Sequence, residues 1–132
     1  MIEVESLTKR YGRLTAVESL SFKVAKGEVV GFLGPNGAGK STTMRIIAGS
    51  LGASSGRATV GGHDVAEDPR PVQALLGYAP EVPPVYTNMS VRSYVEFAAT
   101  IKGVADVKAA TDKALERVSL TSHSNRLIEH LS

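Results

Sequence analysis

An α/β fold with a phosphate-binding loop at its centre is predicted by three observations. A short run, Glu28 to Leu33, apolar after its first residue, leads into a glycine-rich loop, and the loop leads into a segment with helical periodicity. Two strands of alternating polarity stand before that run, and two amphipathic helical stretches stand after Pro84. Strand, loop and helix in this order are the setting in which backbone N–H groups and a helix N-terminus converge on an anion.

The elements follow in chain order. Ile2 and Val4 alternate with Glu3 and Glu5, which predicts a half-buried strand over Met1–Thr8. Lys9-Arg10-Tyr11-Gly12 reads as a turn, and Leu20 to Val24 alternates again. Two such strands predict an antiparallel sheet with one wet face. Glu28 to Leu33 is apolar after its leading glutamate and predicts a parallel strand buried on both faces. Gly34 to Gly39 is the loop, Lys40 to Ala48 a helix, and Gly49 its stop. Arg57–Val60 predicts a short strand, Pro69–Leu75 a short helix, and Leu76–Ala79 another strand.

Three prolines between Pro80 and Pro84 can join neither a ladder nor a helix interior, so a boundary falls there. The predicted organisation is residues 1–84 as a β portion with the loop core, and residues 85–132 as a helical portion. Ser90 is an N-cap for a helix whose stripe is Val91, Tyr94, Val95, Ala98 and Ile101, ended by Gly103. A second helix over Asp106–Val118 carries Val107, Ala110, Ala114, Leu115 and Val118 on one face.

Composition narrows the class. The chain has 132 residues, 42% hydrophobic and 21% charged, with a formal net charge of +2. Its Lys and Arg residues are scattered, without the dense basic stripe of a nucleic-acid surface, so no nucleic-acid partner is expected. There is no cysteine, which excludes disulfides and thiolate metal sites. The longest apolar run is far short of the ~20 residues that span a bilayer. Ile2-Glu3-Val4-Glu5 is acidic where a secretory leader is basic. His63, His123 and His130 lack ligand spacing and read as surface residues. Asp64, Glu67 and Asp68 read as solvated turn residues.

The chemistry concentrates in Gly34-Pro35-Asn36-Gly37-Ala38-Gly39-Lys40-Ser41-Thr42. It fills the pattern G-x-x-x-x-G-K-[ST]. A triphosphate that leaves water needs compensating dipoles, and the loop's N–H groups supply them. Glycines at 37 and 39 let the backbone curl close. Lys40 can reach the β- and γ-phosphates, Ser41 can offer its hydroxyl to Mg²⁺, and Thr42 can meet the α-phosphate side. ATP with Mg²⁺ is the expected ligand.

With its surroundings this stretch resembles the ATP-binding-cassette (ABC) transporter ATPases, over the whole chain. Leu7-Thr8-Lys9-Arg10-Tyr11-Gly12 resembles the family's adenine-stacking loop. Ile46 to Gly49 and Ser55 to Gly62 resemble the segment after the phosphate loop. Gly77-Tyr78-Ala79-Pro80-Glu81 resembles its Q-loop, and Ser90 to Val118 its helical subdomain. The subgroup it is most similar to contains drug-export, sodium-export and gliding-motility ATPases. The resemblance implies a P-loop, RecA-like core with an antiparallel β subdomain and a helical subdomain. It implies Tyr11 as the adenine platform and Glu81, where most of the family has glutamine, beside Mg²⁺ and the attacking water. Lys40 and Glu81 are thus the catalytic candidates, and Ser41 and Glu81 the metal candidates.

Leu131-Ser132 matches the first two residues of the family's Leu-Ser-Gly-Gly-Gln signature. The resemblance therefore implies a truncated domain, without the second magnesium aspartate, the catalytic glutamate and the switch histidine. It implies a membrane (permease) subunit docked on Ser90–Val118 and a second ATP-binding subunit, and a cytoplasmic place on the inner face of the membrane. Two other readings are a nucleotide-binding remnant or decoy without turnover, and a small-molecule kinase. The Gly77–Glu81 and Leu131-Ser132 matches argue against the kinase.

Overall fold

A computed structural model describes residues 1–131; Ser132 lies outside the described residues. The chain divides into two units, Met1–Ala79 and Pro80–Ser132.

The first unit is built on a four-stranded antiparallel sheet, order β2-β1-β3-β4. The strands are β1 (Ile2–Tyr11), β2 (Leu14–Val24), β3 (Ser55–Val60) and β4 (His63–Asp64). The expected antiparallel pair is present, but its turn comes later than Lys9–Gly12. β1 runs on to Tyr11, which pairs with Leu14 across Gly12-Arg13. Gly12 takes the left-handed conformation (φ 57°), which lets the hairpin close in two residues. β4 is too short for a periodicity signal and has none in the sequence.

Both long strands are bulged. Ser6 (φ 46°) and Ser19 (φ 45°) leave the pleat, and each opening is closed by a side chain of the other strand. The Ser6 N–H donates to the Ser21 hydroxyl at 2.8 Å, and the Ser19 N–H to the Thr8 hydroxyl at 3.0 Å. The extra residue changes which side chains face inward. Val4 and Leu7, three apart, are both buried, at 1% and 0% exposure.

On this sheet lie α1 (Lys40–Ile47) and α2 (Pro69–Leu75), as the sequence predicts. Ile46 and Ile47 of α1 and Val72 of α2 join Val4, Leu7, Ala58, Val60 and Val65 in the core. Burial of such side chains contributes about 1.5–3 kcal/mol each.

Two predicted strands do not form. Residues 28–33 and 76–79 are irregular. A strand is completed by a ladder, and no described segment pairs with either run. Val29 and Leu33 are 99% and 93% exposed, against the expectation of burial on both faces. Phe32 does turn inward and packs on Phe22, with ring centroids 5.5 Å apart.

Asp64 is a further correction, since it is buried at 8% exposure and not a solvated turn residue. Its carboxylate accepts from the Arg57 guanidinium at 2.7 Å and from the N–H groups of Ala66 and Glu67 at 2.7 and 3.2 Å. Those three donors compensate the burial of charge. Glu67 and Asp68 are exposed, as predicted.

The second unit pairs α3 (Val91–Ile101) with α4 (Val107–Arg117), followed by 3₁₀ turns at Thr121–His123 and Ile128–His130. Ser90 caps α3 as predicted, accepting from the Ser93 N–H at 3.1 Å, and Asp106 caps α4 through the Ala109 N–H at 2.9 Å. Two more free donors at the start of α3 are met by the following loop. The Val91 N–H donates to the Arg126 carbonyl and the Arg92 N–H to the Ser124 carbonyl. Arg92 ties the helices together through Asp112 at 2.8 Å. The predicted stripes are shortened at their ends: Ile101 (70% exposed) and Val118 (61%) face out, while Ala99 and Thr111 are buried. Ile101 is the last residue of α3, and Val118 is the C-cap of α4.

Candidate functional site: a phosphate-binding loop

The loop from Gly34 to Gly39 is shaped by its own backbone. Gly37 (φ 84°) and Gly39 (φ 82°) are left-handed, and Gly39 is the N-cap of α1. A Cβ at Gly39 would run into the Ala16 carbonyl oxygen and come within 2.8 Å of Val17 Cγ2. Glycine there lets the loop settle directly on β2. The Thr43 N–H and hydroxyl both donate to the Gly39 carbonyl, at 2.8 and 2.9 Å, which locks the first turn of α1. Thr43 is 1% exposed.

Lys40 is the first helical residue, and its side chain folds back over the loop. The ammonium donates to the Gly34 and Pro35 carbonyls, each at 2.7 Å. The loop thus curls around a positive charge at the N-terminus of a helix, and both favour an anion at the same place. Pro35, Asn36, Gly37 and Ala38 are exposed, so their backbone is open to a ligand.

Ser41 follows on the exposed side of α1, and Thr42 is half-buried. The Ser41 hydroxyl has no protein hydrogen bond among the described residues. A free hard-oxygen donor beside the loop suits Mg²⁺, which takes one or two protein oxygens and completes its shell with phosphate oxygens and water. Among the described residues there is no cluster of three His, Cys, Asp or Glu that could hold a metal alone. The residues therefore fit a magnesium ion that arrives with a phosphate.

Tyr11 stands at the tip of the β1–β2 hairpin, 46% exposed. Its cross-strand partner Leu14 is two residues, or about 7 Å of strand, from Ala16, on which Gly39 rests. The hairpin thereby places Tyr11 and the phosphate loop on one edge of the unit. Lys9 Nζ lies over the Tyr11 ring, 5.2 Å from its centroid. The sequence singled out Tyr11 but not Lys9; two residues apart on a strand share a face, and that period was the available signal. A groove of 670 Å³, lined by Leu7, Ile46, Gly49, Arg57, Asp64 and Glu67, contains no residue from 34 to 42 and is separate from the loop.

Glu81 belongs to the second unit, exposed in a bend after Pro80. Leu131 ends the last 3₁₀ turn, its N–H donating to the Ile128 carbonyl at 3.0 Å, while its companion Ser132 lies outside the described residues. No described helix is long and apolar enough to cross a membrane.

An α/β unit with a glycine loop seated at a helix N-terminus, and Lys and Ser at the first two helical positions, is of the phosphate-loop nucleoside-triphosphatase class. Within that class the chain belongs to the ABC transporter family, whose model matches residues 17–132. It is 34% identical over 134 residues to the linearmycin resistance ATP-binding protein LnrL of Bacillus subtilis, covering 100% of this chain and 43% of that protein. It is also 34% identical over 132 residues to the bacitracin transport ATP-binding protein BcrA of Bacillus licheniformis, again covering 100% of this chain and 43% of the relative. The chain thus spans less than half the length of these curated relatives, and 7% of the ABC transporter ced-7 of Caenorhabditis elegans, to which it is 37% identical. A solved ATP-binding subunit of an ABC transporter superposes with a TM-score of 0.82 at 28% identity, covering 100% of this chain and 56% of that one. A dimeric ATP-binding cassette with ADP and Pi shares the fold at a TM-score of 0.84 and 20% identity.

Proposed function

We propose that this chain binds ATP with Mg²⁺ at Gly34–Thr42 and is the ATP-binding part of a transporter ATPase that drives export across a membrane. The observation that carries the reading is the Lys40 ammonium, held inside a glycine loop at the N-terminus of α1. Such a charge is worth most to the terminal phosphates, where negative charge is densest. Loop N–H groups hold the bridging phosphates, Thr42 meets the α-phosphate side, and Tyr11 offers its ring to adenine. Ser41 offers its hydroxyl to the metal, and the resemblance to the family assigns Glu81 to the same ion. A carboxylate in that role can ligate a cation but, while ionised, cannot donate a hydrogen bond to a water.

The transport assignment rests on the family and on relatives whose names speak of resistance and bacitracin transport. A membrane subunit docked on the Ser90–Val118 helices, a second ATP-binding subunit and a place at the inner face of the membrane complete the proposal. Residues 1–132 contain no run of four apolar residues ending in Asp-Glu, and hydrolysis needs an oriented water and a charge clamp about the γ-phosphate. The chain by itself is therefore expected to bind ATP without efficient turnover.

Calorimetric titration of the chain with ATP and Mg²⁺ tests the reading. Lys40→Ala is expected to weaken binding at least about tenfold, the size of one charge-assisted contact to phosphate. Equal affinity in the two proteins rejects the site.

A further inference from the structure

We propose that Lys9 is a positioning residue for the nucleotide base, acting through the ring of Tyr11. The inference rests on the reading of Tyr11 as the adenine platform and adds a second residue to it. The Lys9 ammonium does two things at once. It lies 5.2 Å from the Tyr11 centroid and donates to the Gly52 carbonyl at 2.7 Å. Gly52 belongs to the loop that follows α1, and that loop is stitched to the end of β1 by two further bonds. The Ser54 N–H donates to the Thr8 carbonyl at 2.8 Å, and the Arg10 N–H to the Ser54 hydroxyl at 3.0 Å. The cation is therefore fixed in place, and with it the ring that it covers.

Two consequences follow for a base. A tyrosine at a hairpin tip is otherwise free to turn about its side-chain bonds, and stacking would have to order it. Lys9 supplies that order before the ligand arrives, which reduces the entropy lost on binding. The second consequence is electronic. Two aromatic faces both carry negative potential and resist direct stacking. A cation on one face of Tyr11 draws that density away from the other. The open face, on a residue 46% exposed, is then the better partner for an electron-rich purine. None of this touches the phosphates, so the effect of Lys9 is confined to ligands that carry a base.

The test compares affinities for ATP and for inorganic tripolyphosphate, each with Mg²⁺, on the whole chain. The ratio of the two affinities isolates the base. Lys9→Met is expected to lower the ratio about three- to tenfold, the span of a partly exposed cation–π contact, with tripolyphosphate affinity unchanged. Lys9→Arg is expected to restore it. Lys9→Gln keeps a donor for Gly52 without the charge, serves if the Met variant does not fold, and is expected to lower the ratio as well. In a Tyr11→Ala background Lys9→Met is expected to lower it no further. An unchanged ratio in Lys9→Met and Lys9→Gln, where Tyr11→Ala lowers it, overturns the role of Lys9 and leaves the platform standing. An unchanged ratio in Tyr11→Ala overturns the platform itself. A Lys9 effect that persists without the tyrosine ring also overturns the inference.

Discussion

Gly39 and Ala16 touch so closely that no side chain fits between them. The N-cap of α1 sits against the carbonyl of a β2 residue, with a left-handed backbone (φ 82°) and Val17 on its flank. The same glycine that opens the helix toward a phosphate therefore docks the loop onto the sheet. Gly39→Ala meets both obstacles. The left-handed backbone costs about 1 kcal/mol for a non-glycine residue. Pushing β2 away adds the about 1–3 kcal/mol typical of an overpacked site. Denaturant unfolding is expected to show a loss of about 2–4 kcal/mol in all. A loss below 1 kcal/mol would mean that the loop does not rest on β2.

Three helices end in the same way, and one of them does so with the wrong residue. In α1 and α3 the left-handed residue is Gly49 or Gly103, whose N–H reaches the Ile46 or Thr100 carbonyl. The next N–H, of Ser50 or Val104, reaches back to Arg45 or Ala99. In α4 the same pair of bonds runs from Ser119 to Glu116 and from Leu120 to Leu115, with Ser119 at φ 57°. This is the double-bonded helix stop that glycine favours because it has no Cβ to strain. Ser119→Gly is expected to stabilise the second unit by about 0.5–1 kcal/mol, read as a higher unfolding midpoint. Gly103→Ala is expected to move it the other way by a similar amount. Both glycine stops are visible in the sequence as punctuation; the serine stop is not, since serine marks caps and turns of many kinds.

Asp64 gives the first unit a defined acid sensitivity. Burial by itself would raise its carboxyl. The Ala66 N–H, the Arg57 guanidinium and the Glu67 N–H outweigh that and hold it below its ordinary value of 3.8. A depressed carboxyl binds its proton less readily when folded than when unfolded. Its contribution is complete above the ordinary value and disappears as pH falls below it, through the folded value. Wild-type stability is thus expected to decline below pH 3.8, and Asp64→Asn to flatten that part of the curve. At neutral pH Asp64→Ala is expected to cost about 1–3 kcal/mol, because the Arg57 guanidinium and the Ala66 and Glu67 N–H groups lose their charged acceptor. A wild-type and an Asn variant with parallel acid profiles would remove Asp64 from the account.

Leu33 marks where sequence and structure part. Hydrophobicity and β-branching in residues 28–33 describe what a segment can bury, whereas a strand exists only when neighbours complete its ladder. No described segment does so, and Leu33 is 93% exposed. Patterns that are complete within one element were legible: the β1–β2 pair, α1, α2, the Ser90 cap and the glycines of the phosphate loop. Features that depend on a partner outside the element were not: the bulges at Ser6 and Ser19, and the burial of Asp64 by Arg57. Leu33→Ala in the 132-residue chain is accordingly expected to change unfolding free energy by less than about 0.5 kcal/mol, as for other surface substitutions. Amides 29–33 are expected to exchange with solvent fast. A loss of several kcal/mol at Leu33 would show that the segment is packed in solution.

Lys40 has a second duty that nucleotide binding alone does not test. Its ammonium bridges the carbonyls of Gly34 and Pro35 at 2.7 Å each, so it braces the loop from within. Among the described residues the one other bond within the loop is long, the Ala38 N–H to the Pro35 carbonyl at 3.3 Å. Removing the ammonium frees two acceptors that are exposed and readily hydrated, so global stability should change by less than about 1 kcal/mol. The loop itself loses its brace. Lys40→Met, which keeps the apolar stem, is expected to speed amide exchange at Asn36, Gly37 and Ala38 in the absence of any ligand. Exchange along α1 beyond Thr43 should stay as it is, since the Thr43–Gly39 bonds close the first turn independently. A local change of this pattern would mean that Lys40 presets the loop for phosphate as well as attracting it. Unchanged exchange at residues 36–38 would leave Lys40 with phosphate attraction alone.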